Sequence, residues 1–352
     1  MTEHDFAAAE VLLPAKPKLL PGLDVLERGG GQVQFGVDPV HSVVARDVAP
    51  DILSALRRLD GSTSTTDLLA LAEGEQHVEE LRDLLTELTE LGFLEDADEP
   101  RTSAPVIRDA AFWSLRTGRT RRETTADRAG YSIVVYGTGR LTSAVAGLLA
   151  AAGVGHVRIE ADGLIGEDEL GAGYSDADLG RQRRTASAEL LQRANPRVKT
   201  GKLSGRLPDL AVLADAMVPA PELVADLVAD GVTHLRAGVR DGRGFVGPLV
   251  IPGRSSCLRC VDLHHADRDG RWPLVASQLA GRRQRADLSD VSATAALACV
   301  QSLRALLSAE QRPPTWETTL EVDTFDGTVA HRPAPPHPDC GCRPAGGLRP
   351  MA

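Results

Sequence analysis

Four of the five cysteines lie in two close pairs whose spacing is typical of metal ligands. Cys257 and Cys260 form a CxxC motif, and Cys340 and Cys342 form a CxC motif near the C-terminus. Thiolates in such pairs suit tetrahedral Zn²⁺, and four sulfur ligands leave no open position for a catalytic water. The sequence therefore predicts a structural zinc site, with four metal-free thiols as the alternative. The fifth cysteine, Cys299, lies on an apolar helical stripe and is expected to be a buried thiol.

A glycine turn follows a short apolar strand in the sequence VVYGTGRLTSAVAGLLAAAG. Gly137 and Gly139 occupy the first two positions of the dinucleotide-binding pattern GxGxxG, and Thr142 takes the third. In folds of this kind an acidic residue at the end of the next strand, here Glu160, holds a ribose hydroxyl. The turn predicts a Rossmann-like α/β fold and leaves a nicotinamide oxidoreductase open as one interpretation.

Later segments resemble the ThiF/MoeB family, the bacterial relatives of ubiquitin-activating enzymes. The stretch DADLGRQRRTASAELLQRANPRV has Gly180, Arg183 and Asn195-Pro196 where the family has a glycine, a lysine and Asn-Pro, and HPDCGCRP resembles the closing zinc half-site. The resemblance spans Tyr131 to Pro344 and implies a ThiF-type domain with a structural zinc site and with ATP and Mg²⁺ as expected ligands. The nucleotide-binding residues that it implies are Gly137, Gly139, Glu160 and Arg183.

Several ATP-contacting residues of that family are missing from this sequence. The segment DGLIGEDELGAGYS lacks the family's Asn-x-x-Arg motif, and LADAMVPAPE replaces its Thr-Asp-Asn, leaving Asp215 as the nearest carboxylate. Arg183 replaces the lysine, and the crossover segment QLAGRRQRADLSD has no cysteine for a thioester. Adenylation needs positive charge and a metal ion to stabilise the reacting α-phosphate. The sequence therefore predicts a degenerate nucleotide site, and no catalytic residue is assigned.

Residues 16–96 are predicted to form a small separate α+β domain. The segments LDVLERG, GQVQFGV and HSVVARD alternate like strands, and three helices with apolar faces and a closing strand FLED follow. This order is typical of a winged helix-turn-helix, but its helices carry few basic residues for DNA. The domain resembles the PqqD-like peptide-recognition element, which implies that a leader peptide adds as a strand to the sheet near Val33, Phe35 and Val37 and the final helix.

The remaining polar segments are expected to be solvated. Residues 97–130 are predicted to be a linker with a short apolar turn at Ala111–Leu115, and residues 131–352 to form the ThiF-like domain. Several other polar groups could in principle bind a ligand or partner or act as acids and bases. They are expected instead to face solvent: His264, His265, Asp267, Asp269 and the loop Gly281–Arg285.

Composition limits the choice of partner. The chain has 352 residues with 39 Lys+Arg against 49 Asp+Glu, a formal net charge of -10, so nucleic acid is not expected as a partner. The sequence opens without a signal peptide and has no apolar run of about 20 residues, so a cytoplasmic protein without a membrane segment is predicted.

The combination of the two domains resembles the leader-peptide-binding component of azoline-forming cyclodehydratases. This resemblance implies a scaffold that captures a precursor peptide, while a YcaO-type partner enzyme binds ATP and activates the peptide. A homodimer is an open expectation, since ThiF relatives often dimerise. The competing interpretation is an ATP-dependent ThiF-type adenylyltransferase that activates a C-terminal carboxylate.

Overall fold

The computed structural model divides into two compact units, Met1–Ala126 and Asp127–Ala352. It describes residues 12–98, 110, 113–114, 116–117, 121–283, 285–307 and 312–342. The predicted turn at Ala111–Leu115 lies largely outside these ranges.

The N-terminal unit is a small α+β domain. Three strands, β1 (Pro17–Leu19), β2 (Val25–Gly29) and β3 (Gln32–Phe35), precede β4 (Val43–Ala45) and the helices α1 (Pro50–Leu56), α2 (Thr65–Leu69) and α3 (Glu75–Glu90), and β5 (Leu94–Asp96) closes the unit. Strands β2, β3 and β4 form one antiparallel sheet with β3 in the centre, while β1 pairs with β5. The two-stranded sheet β1–β5 contains a strand at Pro17–Leu19 that was not predicted from the sequence.

Alternation of side chains on β3 builds the core of this unit. Val33 and Phe35 are each 1% exposed and pack with Leu81 and Leu85 of α3. Because β3 pairs on both sides, it has no free edge, so neither its backbone nor these two side chains can receive an added strand. Peptide binding near Val33 and Phe35 stays a prediction, and it would have to use a neighbouring strand rather than these two buried side chains. Val37, by contrast, is 77% exposed just beyond the strand.

The end of the predicted linker is ordered. Residues Arg121–Gly130 form helix α4, which crosses the division between the two units. Arg121 is buried and pairs with Glu95, and Arg128 is fully buried and donates from Nη1 to the carbonyl of Ala152 at 2.9 Å. Both arginines are buried, whereas a solvated linker was predicted for this part of residues 97–130.

The C-terminal unit is built on a seven-stranded sheet. Its strands are β6 (Ser132–Tyr136), β7 (His156–Glu160), β8 (Leu210–Leu213), β9 (His234–Arg240), β10 (Arg243–Val250), β11 (Thr318–Asp323) and β12 (Thr328–Pro333), in the order β12-β11-β10-β9-β8-β6-β7. Strands β7, β6, β8 and β9 are parallel, and β9 to β12 are antiparallel. The parallel half confirms the predicted Rossmann-like α/β class.

Helices cover this sheet. α5 (Arg140–Ala151), α6 (Arg183–Ala194) and α10 (Leu288–Leu307) pack together, and Cys299 is buried within α10 as predicted. Helix α7 (Pro221–Ala229) and the start of α8 (Leu258–Arg268) share a core cluster with Ala211 and Leu213 of β8. The short α9 (Trp272–Leu279) follows. In the part of the chain that the structure describes, no helix is long and apolar enough to cross a membrane.

Candidate functional site

The glycine turn between β6 and α5 surrounds a carboxylate of the protein itself. Asp215, which follows β8 and is 7% exposed, accepts hydrogen bonds from the backbone N–H groups of Gly139 at 2.9 Å, Leu141 at 3.3 Å and Thr142 at 2.9 Å. The Thr142 hydroxyl donates to the same carboxylate. The first N–H groups of a helix have no partner within the helix and attract an anion. At α5 that anion is Asp215.

This carboxylate also accounts for the glycines of the turn. A Cβ at Gly139 would lie 2.4 Å from Oδ1 of Asp215, and a Cβ at Gly137, whose φ is +148°, would lie 2.2 Å from Oγ1 of Thr142. Both residues are therefore glycine because an internal hydrogen-bonded group lies against the backbone. The close approach that a dinucleotide fold reserves for phosphate is made here by Asp215 and Thr142.

Burial has an electrostatic effect on Asp215. Desolvation raises the pKa of its carboxyl group, and the hydrogen bonds from Thr142, Gly139 and Leu141 oppose that rise. The positive end of the α5 dipole also favours the ionised form. The N–H groups that would contact a phosphate are thus already paired with an acceptor of the same sign.

Arg183, the predicted replacement for the family's lysine, lies in a buried ion pair. Its Nε and Nη2 donate to the carboxylate of Glu169 at 2.9 and 2.7 Å, and Glu169 is 1% exposed. Nη1 donates to the carbonyl of Asp162, and Nη2 also donates to that of Leu164 at 2.6 Å. Every nitrogen of the guanidinium therefore has a partner inside the protein, and Glu169 holds the pKa of Arg183 above its usual value.

The crossover segment contacts the glycine turn through Arg283. Arg283 forms a β-bridge with Ala216, and its Nη1 lies 3.5 Å from the carbonyl oxygen of Thr138 and 3.4 Å from the Glu169 carboxylate. Arg283 therefore links the glycine turn to the Arg183–Glu169 pair. Glu160, the predicted ribose ligand, ends β7 and is 39% exposed in its side chain, but its carboxylate accepts hydrogen bonds from Arg158, which lower its pKa.

The structure brings the four predicted metal ligands together. The Sγ atoms of Cys257 and Cys260 are 3.8 Å apart, those of Cys257 and Cys340 are 3.6 Å apart, and those of Cys260 and Cys342 are 3.5 Å apart. Four sulfurs bound tetrahedrally at about 2.3 Å from Zn²⁺ would be separated by about 3.8 Å. The cluster could therefore hold a metal ion with little movement.

A metal ion at this cluster would have to displace protons from buried thiols. Burial raises the pKa of the Cys257 thiol, and it raises the pKa of Cys342 to about 11. Without a cation, these sulfurs would be held as neutral thiols at neutral pH. A bound metal would stabilise the thiolates, because a coordinating thiol loses its proton.

The model of the ThiF family matches residues 121–343 of the sequence. The chain belongs to the ThiF family. The match includes the glycine turn, Asp215, the Arg183–Glu169 pair and all four clustered cysteines, so these features are parts of one ThiF domain. A comparison with curated proteins gives no significant match.

Solved structures share the fold of the ThiF chain at low sequence identity. E. coli MccB solved with ATP superposes with a TM-score of 0.68 at 15% identity, over 93% of this chain and 99% of that chain. The microcin C7 biosynthetic enzyme MccB in complex with N-formylated MccA gives 0.67 at 14% identity, over 93% and 99%. PaaA gives 0.62 at 16% identity, over 89% and 98%.

The two histidines near the cysteine cluster of the ThiF domain are less solvated than predicted, whereas Asp267 and Asp269 are exposed as predicted. His265 stacks on Trp272 with ring centroids 4.6 Å apart, and its partial burial lowers its pKa to about 4. His264 packs edge-on against His337 at 4.7 Å, and Asp267 accepts a hydrogen bond from His337 Nε2 at 2.9 Å. Asp269 accepts the N–H of Arg271 instead, so the two aspartates do not form an acid–base pair.

Proposed function

We propose that this protein is a peptide-binding scaffold of a system that modifies ribosomally made peptides, with a ThiF domain that retains the fold but does not bind ATP. The single observation that carries the proposal is the occupation of the α5 N-terminus by Asp215. A phosphate placed there would compete with a buried carboxylate for the same N–H groups and would meet a like charge. The engagement of Arg183 by Glu169 supports the same interpretation.

In this proposal the precursor peptide binds the N-terminal unit by adding a strand to the edge of its sheet. Such binding uses free backbone groups of an edge strand and apolar pockets beside it. Strand β4 is an edge, and exposed apolar side chains lie on it and in the preceding loop: Val44 is 38%, Val40 82% and Val37 77% exposed. The other edge, β2, presents the exposed polar residues Glu27 and Arg28. We therefore place the peptide on β4.

We also propose that a partner enzyme of the YcaO type, rather than this protein, binds ATP and activates the peptide. The fold similarity to MccB, solved with N-formylated MccA, supports a biosynthetic role with a bound partner molecule. We also propose that the metal ion of the four-cysteine cluster is Zn²⁺ and that it is structural, because four thiolates complete its coordination.

Nucleotide binding tests the scaffold against the competing adenylyltransferase. We expect calorimetry with ATP and Mg²⁺ to give no heat of binding up to about 1 mM ATP, and we expect no exchange of pyrophosphate into ATP in the presence of the precursor peptide. Micromolar ATP affinity together with exchange would replace the scaffold by an adenylyltransferase acting on a C-terminal carboxylate.

Peptide binding is tested with the full chain and matched charge substitutions on the two edges. Val44→Asp on β4 should weaken precursor-peptide binding by roughly tenfold or more, because it places an unpaired charge beside the added strand. Arg28→Asp on β2 introduces the same side chain at the opposite edge and should leave the affinity within about twofold. Equal losses in the two variants would refute the choice of β4, and no binding by the wild type would refute the peptide function.

A further inference from the structure

A cavity of about 640 Å³ lies on the face of the ThiF sheet that carries α7 and the cysteine cluster. Its walls are mainly apolar, with Val218, Pro221, Val224 and Val228 on one side and Leu258 on the other, and the cysteine cluster forms part of the lining through Cys257, Cys340 and Cys342. Ligand pockets have volumes of about 300–1,000 Å³ and combine apolar walls with a few polar groups. The cavity has the size and lining of a site for a small molecule or a terminal residue.

One cation in this cavity, Arg236, is only partly satisfied by hydrogen bonds within the protein. Arg236 projects from β9 at the level of Leu213, the last residue of β8, and its guanidinium carbon lies 4.8 Å from the centroid of the Phe245 ring. Its Nε is buried and has no hydrogen-bond partner, and its Nη1 makes one long contact of 3.5 Å with the carbonyl of Met217. Among the described residues, no carboxylate lies within 4.0 Å of this guanidinium.

Arg236 is half-buried as a residue, and its unpaired Nε leaves a donor group that an anion in the cavity could approach. Burial lowers the pKa of Arg236 to about 10, which still leaves it charged at neutral pH. Hydrogen bonds to a charged group in such surroundings are stronger than those in water. The apolar walls restrict the anion to one that carries an apolar body.

A second polar group, Asp262, narrows the ligand further. Its carboxylate lines the same cavity and accepts the Trp272 Nε1–H at 3.2 Å, and it attracts Arg236 from beyond ion-pair distance. An acceptor near the cation suits a ligand whose carboxylate lies next to an N–H donor. An α-amino acid and the C-terminal residue of a peptide both have that arrangement.

We propose that this cavity binds the carboxylate of an apolar α-amino acid unit, with Arg236 holding the carboxylate, Asp262 accepting the neighbouring N–H and the Val218–Val228 wall holding the side chain. The proposal is independent of the peptide site on β4, because the cavity lies entirely within the ThiF domain. Loss of either activity would therefore leave the other in place.

The experiment is calorimetry on the full chain with four probes. Leucine represents a free amino acid, N-acetyl-leucine and a tripeptide ending in leucine represent a peptide C-terminus, and leucinamide lacks the carboxylate. We expect at least one carboxylate probe to bind and leucinamide not to bind. Binding of leucine alone identifies a free amino acid, whereas binding of the acylated probes identifies a peptide C-terminus. Binding of no carboxylate probe, or equal binding of leucinamide, would overturn the proposal.

Three variants locate the bound carboxylate. Arg236→Met keeps the length of the side chain and should weaken binding by roughly tenfold to a hundredfold. Arg259→Met removes an exposed cation that lines the same cavity and should change affinity by no more than about twofold, since solvent screens that charge. If Arg236→Met folds poorly by circular dichroism, Ala225→Trp fills the cavity from an exposed position of α7 and should abolish binding. Unchanged binding in Arg236→Met or Ala225→Trp would exclude this cavity.

Discussion

The glycine turn and the Arg236 cavity lie at the carboxyl end of parallel strands of one sheet. Their polar groups differ in whether the protein itself supplies a hydrogen-bond partner. At the turn, three N–H groups and a hydroxyl converge on the buried carboxylate of Asp215. In the cavity, the Arg236 guanidinium keeps a buried Nε without a partner. The first region has the familiar sequence signature and is internally complete. The second has no signature and retains a charge for a ligand.

A glycine turn of the nucleotide-binding type therefore indicates the fold, and it does not by itself indicate a bound nucleotide. A turn of this kind supplies N–H donors, and any acceptor of suitable charge can use them. Whether that acceptor comes from a ligand or from the protein depends on a residue far away in the sequence, here 76 positions from Gly139.

Among these variants, removal of one cysteine ligand should cause the largest loss in the stability of the ThiF domain. Cys260→Ser breaks the four-sulfur cluster, and we expect a loss of about 5 kcal/mol or more from the stability of the ThiF domain, because metal binding contributes directly to folding. Cys299→Ser, at a buried thiol outside the cluster, is the control and should cost about 1 kcal/mol. Thermal unfolding and metal content by mass spectrometry measure both. Similar losses in the two variants would contradict a metal-bound cluster.

Breaking the pair beside the glycine turn should have the next largest effect. Arg183→Met leaves Glu169 as a buried charge without its main partner, and we expect a loss of about 3–5 kcal/mol. Arg181→Met, which removes a half-exposed arginine paired with Asp178 and Glu189, should cost about 1 kcal/mol or less. Urea unfolding distinguishes them. An Arg183→Met protein of full stability would show that Arg183 is available to a ligand.

Removal of the Asp215 carboxylate should leave the N–H groups of the α5 N-terminus free to bind an anion from solution. Asp215→Ala leaves several N–H groups at the α5 N-terminus without an acceptor, and we expect a loss of about 2–3 kcal/mol. Inorganic phosphate should then restore part of the stability in this variant and not in the wild type, because binding to the folded state raises stability by mass action. Equal effects of phosphate on both proteins would show that Asp215 does not occupy an anion site.

Acidification gives the smallest effect and tests the charge of the same carboxylate. Because burial raises the folded-state pKa of Asp215 above its unfolded value, the folded protein binds a proton more tightly. The contribution of this group to stability is therefore fully present below the unfolded pKa and is lost as the pH rises through the folded pKa. We expect the stability of the wild type relative to Asp215→Asn to increase between pH 8 and pH 5, about 1 kcal/mol or less, as measured by urea unfolding in each buffer. A decrease would mean that the hydrogen bonds outweigh desolvation.

The sequence predicts local features well and long-range partners poorly. The strands and helices around Gly137 and the four cysteine ligands follow from periodicity and from motif spacing, which are local properties. The sequence analysis identified Thr142 as a departure and Asp215 as the nearest carboxylate, but not that the first donates to the second. The partnership of Arg183 with Glu169 was missed for the same reason, because no local pattern encodes a contact between a helix and a distant loop.

Two features depend on tertiary contacts that the sequence contains only implicitly. Val33 and Phe35 belong to a strand whose side chains alternate between buried and partly exposed positions, as predicted. The sequence does not show that this strand lies between two others. This matters because only an edge strand can accept an added peptide strand. The Arg236 cavity did have one signal, since an arginine in the apolar strand HLRAGVR implies a buried charge that needs a partner. The surroundings of Arg236 depend on the fold, because residues of α7 and α8 form the rest of the cavity lining.

The hydrogen bond between Thr142 and Asp215 has a consequence for the history of this domain. A first substitution that restores glycine at position 142 removes a donor from a buried carboxylate, and a first substitution of Asp215 leaves the helix N-terminus without an acceptor. Each single step lowers stability before any phosphate can be bound, so the two positions constrain one another. Under the proposed function, a protein with this pair could bind a nucleotide at the turn only by passing through an intermediate that folds less well.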